Sequence, residues 1–277
     1  MPFVVIKGTF HVVGYSPDGD SVKFEANSAG NWSKLADHKV KKNKKGHVQL
    51  RFEAVDALET HYQGEHQPTK LAYGATDYTL GALGIKNVEW GPKHGRVTSA
   101  DDGVDGFILS RSVERFGRPV SFVFYGRTKL RDGSEVYLRA PLMWQSVNYE
   151  LLSAGLVYPT YYKGLFADLR GVMSAAAKDA RSKAKGVWAS DKTSGVTVSN
   201  LKSITDDHVI LPKLFRRLVG YLKTHASVTG FRQHIENHPE GVLVLPEGNF
   251  THFDTVIRQN GKVVGLTVDP ENLVFRP

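Results

Sequence analysis

Three segments near the amino terminus, 3–14 (FVVIKGTFHVVG), 20–26 (DSVKFEA) and 47–55 (HVQLRFEAV), alternate apolar and polar residues with period two. Successive side chains of a strand point to opposite faces, so the pattern predicts half-buried strands with one face on a core. FILSRSVE (107–114) and PVSFVFYG (119–126) on either side of RFGRP (115–119) predict a hairpin. Residues 86–90 read as one more short strand. Helical signals lie between and after these runs. Residues 68–83 open on Pro68 and stop at Gly84, and 146–156 forms a short amphipathic stretch. Residues 166–188 form a longer one, basic toward the end where the helix dipole favours cations. Strands followed by helices predict an α+β fold. Five strands with a helix inserted before the fourth suit a Greek-key barrel of the oligonucleotide-binding type with flanking helices.

Composition removes several alternatives. The chain of 277 residues has no cysteine, which excludes disulfides, zinc–thiolate sites and thiol nucleophiles. It has no run of about 18 apolar residues, so a membrane-spanning helix is not expected. The amino terminus alternates like a strand and lacks the apolar stretch of a signal peptide, so the expected location is cytoplasmic, or exported if a leader was removed. The net charge of +8 falls almost wholly in the first 195 residues, with KVKKNKK (39–45) the densest run. A basic surplus suits a polyanionic partner, because neutralising phosphates releases condensed counterions.

The third strand carries unusual cargo. In LRFEAVDALET (50–60), Arg51 lies on the face opposite Leu50, Phe52 and Ala54, and two carboxylates, Asp56 and Glu59, follow just past the end. Asp56 has the wrong parity to share a face with Arg51 unless the strand ends or bulges near Val55. PDGDSV (17–22) places Asp18 and Asp20 at the mouth of the second strand, and RFGRP places Arg118 in a tight turn. Paired carboxylates with a backbone carbonyl suit a hard cation such as calcium or magnesium rather than zinc. No histidine metal motif is present; His61 and His66 in HYQGEH, five apart, do not stack on one helix face.

Taken in order, DGDSV, RFEAVDALET, YGA (73–75), RFGR and KAKGVW resemble the motifs of the staphylococcal nuclease-like (thermonuclease) family over roughly residues 8–190. The resemblance implies a calcium-dependent hydrolase of DNA or RNA phosphodiesters, with magnesium or manganese as substitutes, little sequence preference and 3′-phosphate products. It implies that Asp20 and Asp56, with the Ala57 carbonyl, hold the cation and that Asp18 lies behind them. Arg51 and Arg118 would bind phosphate, and Glu59 would act as general base. Phe116, Tyr161 and Tyr162 are candidates for stacking on bases, which is sequence-tolerant, with Lys163 beside them. The chain departs from the family pattern where ALE replaces the usual T-P-E, so the turn before Glu59 lacks its proline. The 27–46 loop is long, and the span from Glu59 to Arg118 carries extra sequence.

The expected organisation is a nuclease-like domain over 1–190, a linker over 191–200, and a small α+β accessory domain over 201–277 that serves oligomerisation or a protein partner. In that last segment 208–237 reads as helical, amphipathic at first with a basic middle. Residues 241–275 read as short strands around QNGK, whose Asn-Gly pair favours a hairpin turn. The alternative function is a non-catalytic nucleic-acid- or protein-binding module on the same fold.

Overall fold

The computed structural model describes residues 2–276. In chain order the elements begin with β1 (Phe3–His11), β2 (Lys23–Ala26), β3 (Val48–Gln49), β4 (Arg51–Phe52), β5 (Val55–Asp56) and α1 (Thr69–Ala82). They continue with β6 (Glu89–Trp90), β7 (Val97–Ser99), β8 (Val104–Val113), β9 (Pro119–Tyr125), β10 (Glu135–Val136), α2 (Ala140–Met143) and α3 (Val147–Ser153). Then come β11 (Tyr158–Pro159), β12 (Tyr161–Tyr162), α4 (Ala167–Ser182), β13 (Val196–Thr197), α5 (Pro212–Leu222) and α6 (Phe231–Glu236). The chain ends on β14 (Gly241–Val244), β15 (Asn249–His252), β16 (Ile257–Asn260), β17 (Val263–Leu266) and β18 (Leu273–Arg276). The fold is mixed α+β. None of the helices among the described residues is long and apolar enough to cross a membrane.

Contacts divide the chain into two compact units, and each takes two stretches of sequence. The first comprises residues 1–53 and 73–151. Its main sheet runs β3-β2-β1-β8-β9-β4, antiparallel throughout except for the parallel β4–β9 pair, and β10 adds to β1. The two ends of this six-strand path, β3 and β4, are separated only by Leu50, whose N–H donates to the Val22 carbonyl at 2.9 Å. The sheet thus curls almost closed on itself. Strand register puts Ile6, Phe10, Phe24, Phe52, Ile108 and Val123 on one buried face, while their neighbours Val5, Leu109 and Phe122 are buried on the other. Gly8 and Gly106 pair directly across β1 and β8, and a Cβ on Gly106 would sit 2.2 Å from the Phe10 ring. These two glycines let strand and ring approach where the sheet bends.

The predicted strand over 47–55 is three pieces. It breaks at Ala54, which has φ +69°, a left-handed conformation that costs an L-residue about 1–2 kcal/mol. Beyond that break the chain enters the second unit, 54–72 and 152–277. There β5 pairs with β11, and the Thr160 N–H donates to the Ala54 carbonyl. The core of this unit joins Leu58 and Ala72 to Tyr158, Trp188, Leu214, Phe215, Leu218, Phe231, Phe253 and Phe275.

This partition corrects the expected organisation. Residues 201–277 are not a separate appendage, because β18 pairs in parallel with β12, and Arg181 of α4 binds Asp269 and Glu271. Nor is 191–200 a linker. Asp191 accepts the Tyr158 hydroxyl at 2.6 Å, Thr193 is buried, and β13 pairs with β17. Its Ser, Thr and Gly content reads as flexible, but the polar side chains are spent on local hydrogen bonds.

Candidate functional site

In the first unit, backbone pairing brings the main chain of Asp20, Arg51 and Arg118 to one end of the sheet. Asp20 ends the PDGD turn, and its carbonyl accepts the Phe52 N–H at 2.9 Å, next to Arg51. The turn is fastened by Asp18, which accepts the Ser21 hydroxyl at 2.6 Å, and by the Thr79 hydroxyl of α1, which donates to the Gly19 carbonyl. Arg51 is aligned with Val120 across the parallel β4–β9 pair, two residues from Arg118. The RFGRP turn is built on Glu114, whose Oε1 accepts the N–H groups of Phe116 and Arg118 and the Arg118 Nε, each at 3.1 Å. That pairing uses one edge of the guanidinium fork. Phe116, at the tip, is 61% exposed and stacks under Arg115.

The KVKKNKK run is folded against this turn. The Lys41 N–H donates to the Gly117 carbonyl at 2.9 Å, and Asn43 accepts the N–H groups of Lys45 and His47. Lys23 of β2 has its pKa lowered by burial and then by the positive charge of Lys41. The positive charge gathered here is one that an incoming phosphate would relieve.

In the second unit, the DALET loop has a partner that the sequence reading did not identify. Asp56 is buried, and Arg216 of α5 grips both its oxygens, at 3.1 Å and 2.7 Å. The same guanidinium donates to Glu59 Oε1 at 2.5 Å. Burial alone would lower the Arg216 pKa, but the charges and hydrogen bonds of Asp56, then Glu59, raise it well above its ordinary value. The arginine is therefore permanently charged. A signal for it exists in the sequence. In PKLFRRLVGYL the helical period puts Arg216 on the stripe of Pro212, Phe215 and Val219, which faces the core, while Arg217 points outward to Glu240. A cation on a core stripe demands a buried anion.

Gln67 locks the same loop. It is fully buried, its Oε1 accepts the Glu59 N–H, its own N–H donates to the Glu59 carbonyl, and its Nε2 donates to the Ile210 carbonyl at 2.7 Å. Gln67→Leu keeps the volume and strands a buried donor and acceptor. It is expected to cost about 2 kcal/mol, read as a lower midpoint in urea followed by Trp188 fluorescence.

The calcium ion that the motif resemblance implies does not fit Asp56 in this arrangement, because both oxygens already serve a guanidinium and a second cation there would meet its charge. Ala57 is buried beside it. The aromatic candidates separate by exposure. Tyr161 is fully buried, its hydroxyl accepting a hydrogen bond from Ser174, so its ring is core packing and not a stacking platform. Tyr162 is half-buried between Lys213 and Phe275, and Lys163 is exposed. No family model matches the chain, and no curated protein matches it.

Proposed function

We propose that the chain binds nucleic-acid phosphodiesters and hydrolyses them with little sequence selectivity, as a nuclease of the staphylococcal nuclease-like kind acting on DNA, RNA or both. The observation that carries this reading is the backbone pairing that sets the Asp20, Arg51 and Arg118 segments, far apart in sequence, at one sheet end beside a folded lysine run. The strand order supports reading the sheet as a five-stranded oligonucleotide-binding-type barrel, with β3 and β4 as halves of one strand and a parallel closing pair. In this reading Arg51 and Arg118 hold the non-bridging oxygens, where attack by water builds negative charge. Guanidinium forks match that geometry and stay charged at any working pH. Glu59 is the proton acceptor by its place in the motif. With both Asp56 oxygens held by Arg216, the calcium, magnesium or manganese ion that the motif resemblance implies is given no place in this reading.

A second reading, a non-catalytic binding module, is favoured by one observation: Arg216 occupies the carboxylates that hydrolysis would use. Digestion of plasmid and single-stranded RNA with calcium, magnesium, manganese or chelator separates the two, alongside binding of a labelled single strand. Cutting that leaves 3′-phosphate ends is the expected result. Binding without cutting hands the function to the second reading, and neither cutting nor binding overturns both. Binding is expected to weaken about 20-fold between 50 and 200 mM salt, as for about three neutralised phosphates on a single strand.

A further inference from the structure

The outer face of the barrel sheet carries a second constellation, unrelated to the phosphodiester reading. In the antiparallel register of β1 and β2, Thr9 lies across from Glu25 and His11 across from Lys23. In that of β2 and β3, Lys23 lies across from Gln49. Continuing that register one step places His47 across from Glu25. Side chains directly opposite or diagonal on adjacent strands share a face, so His11, Glu25 and His47 converge on the side away from the core.

Their donor atoms face one another. Glu25 Oε2 is 3.6 Å from His11 Nε2 and 3.7 Å from His47 Nε2, and all three atoms lie within 4.8 Å of one another. The two imidazoles stack with centroids 4.1 Å apart. None of these separations is a hydrogen bond. Metal–ligand bonds of about 2.0–2.1 Å in a tetrahedral arrangement put donor atoms roughly 3.3 Å apart. The two Glu25 separations exceed this by a few tenths of an ångström, and the stacked rings would tilt apart for their in-plane lone pairs to converge on an ion.

The far side of each ring is held. His11 Nδ1 is 3.0 Å from Asp102 Oδ2, and Asp102 is itself fixed by the N–H groups of Val12 and Val13. A carboxylate on Nδ1 keeps the proton there and turns the Nε2 lone pair toward Glu25, the arrangement that orients metal-ligating histidines. His47 Nδ1 is 3.0 Å from the Tyr15 hydroxyl, which also accepts from Asn43. The Thr9 hydroxyl now lies 2.9 Å from His11 Nε2 and would yield that contact to an ion.

We propose that His11, Glu25 and His47 form a binding site for a first-row transition-metal dication of the zinc class, oriented by Asp102 and Tyr15. Two imidazoles and one carboxylate select such an ion over calcium or magnesium, which want oxygen donors. Three protein ligands leave a fourth position for water on the solvent side, where Glu25 is half exposed.

The test uses the full chain, stripped with chelator and titrated calorimetrically with zinc sulfate, then with calcium and magnesium chloride. Expected is one zinc per chain, bound at least 10-fold more weakly by each of His11→Ala, His47→Ala and Glu25→Gln. Asp102→Asn, which removes only the orienting partner, is expected to weaken zinc by about 10–100-fold. His234→Ala alters the separate histidine cluster with His225 and His238 and should leave zinc unchanged. Far-ultraviolet circular dichroism checks each fold, and the isosteric Glu25→Gln keeps the test decisive if a histidine variant unfolds. No zinc uptake, equal affinity in the three ligand variants, or loss confined to His234→Ala overturns the proposal.

Discussion

Arg216→Ala is expected to destabilise the unit formed by 54–72 and 152–277 by about 3–5 kcal/mol, the cost of removing one partner from a buried ion pair. Asp56 is 3% exposed at its side chain and Glu59 18%, so water reaches neither carboxylate well enough to replace the lost guanidinium. The two would also repel each other across the space it leaves. Arg216→Lys should recover only part of the loss, because an ammonium cannot match the two-oxygen grip on Asp56. Asp56→Asn combined with Arg216→Met, which removes both charges of the main pair, should lie closer to the parent protein than Arg216→Ala does. Chemical denaturation followed by the fluorescence of Trp188, which packs in the same core, reads all three. An Arg216→Ala midpoint equal to the parent's would show that the carboxylates do not depend on this arginine.

The second large effect is on the proposed chemistry. Arg51→Ala is expected to lower phosphodiester cleavage by about 10²–10³-fold, the loss seen when one fixed donor aimed at developing charge is removed. The effect should fall mainly on the rate at saturating substrate, since charge on the non-bridging oxygens grows toward the transition state. Arg118→Ala is expected to act in the same direction and less strongly, because Glu114 already holds one edge of that guanidinium. A loss of binding alone, with the saturated rate unchanged, would assign Arg51 to holding the polyanion rather than to catalysis.

Much of the barrel was legible because strand alternation is a local property. Period two holds over the second half of β1 and over β2, whereas β8 and β9 bury consecutive residues on both faces, which alternation alone does not predict. The parity conflict between Arg51 and Asp56 required a break, and the chain makes one at Ala54, though no glycine announced it. What local pattern could not carry was partnership over long separations. Asp56 and Arg216 are 160 residues apart, and only the helical period of PKLFRRLVGYL hinted that a buried anion awaited the arginine. The division into units failed for the same reason. Residues 54–72 belong with 152–277 through pairings such as β5–β11, which no composition shift marks. The histidine pair on the outer sheet was hidden because ligands gathered by strand register have no fixed sequence spacing. Tyr161, a candidate for stacking on a base, sits in the core, because an aromatic in a short β-like run is as fit for a core as for a nucleotide.

The central claim, that this chain cleaves nucleic-acid phosphodiesters through its motif residues, is tested most directly by initial cleavage rates on a fluorogenic single-stranded oligonucleotide. Parent, Arg51→Ala and Glu59→Gln proteins would be compared at saturating substrate, with calcium and with chelator. The account predicts measurable cleavage by the parent and a drop of about 100-fold or more in both variants. Cleavage that persists undiminished in both variants, or a parent that binds the oligonucleotide and never cuts it, would contradict it.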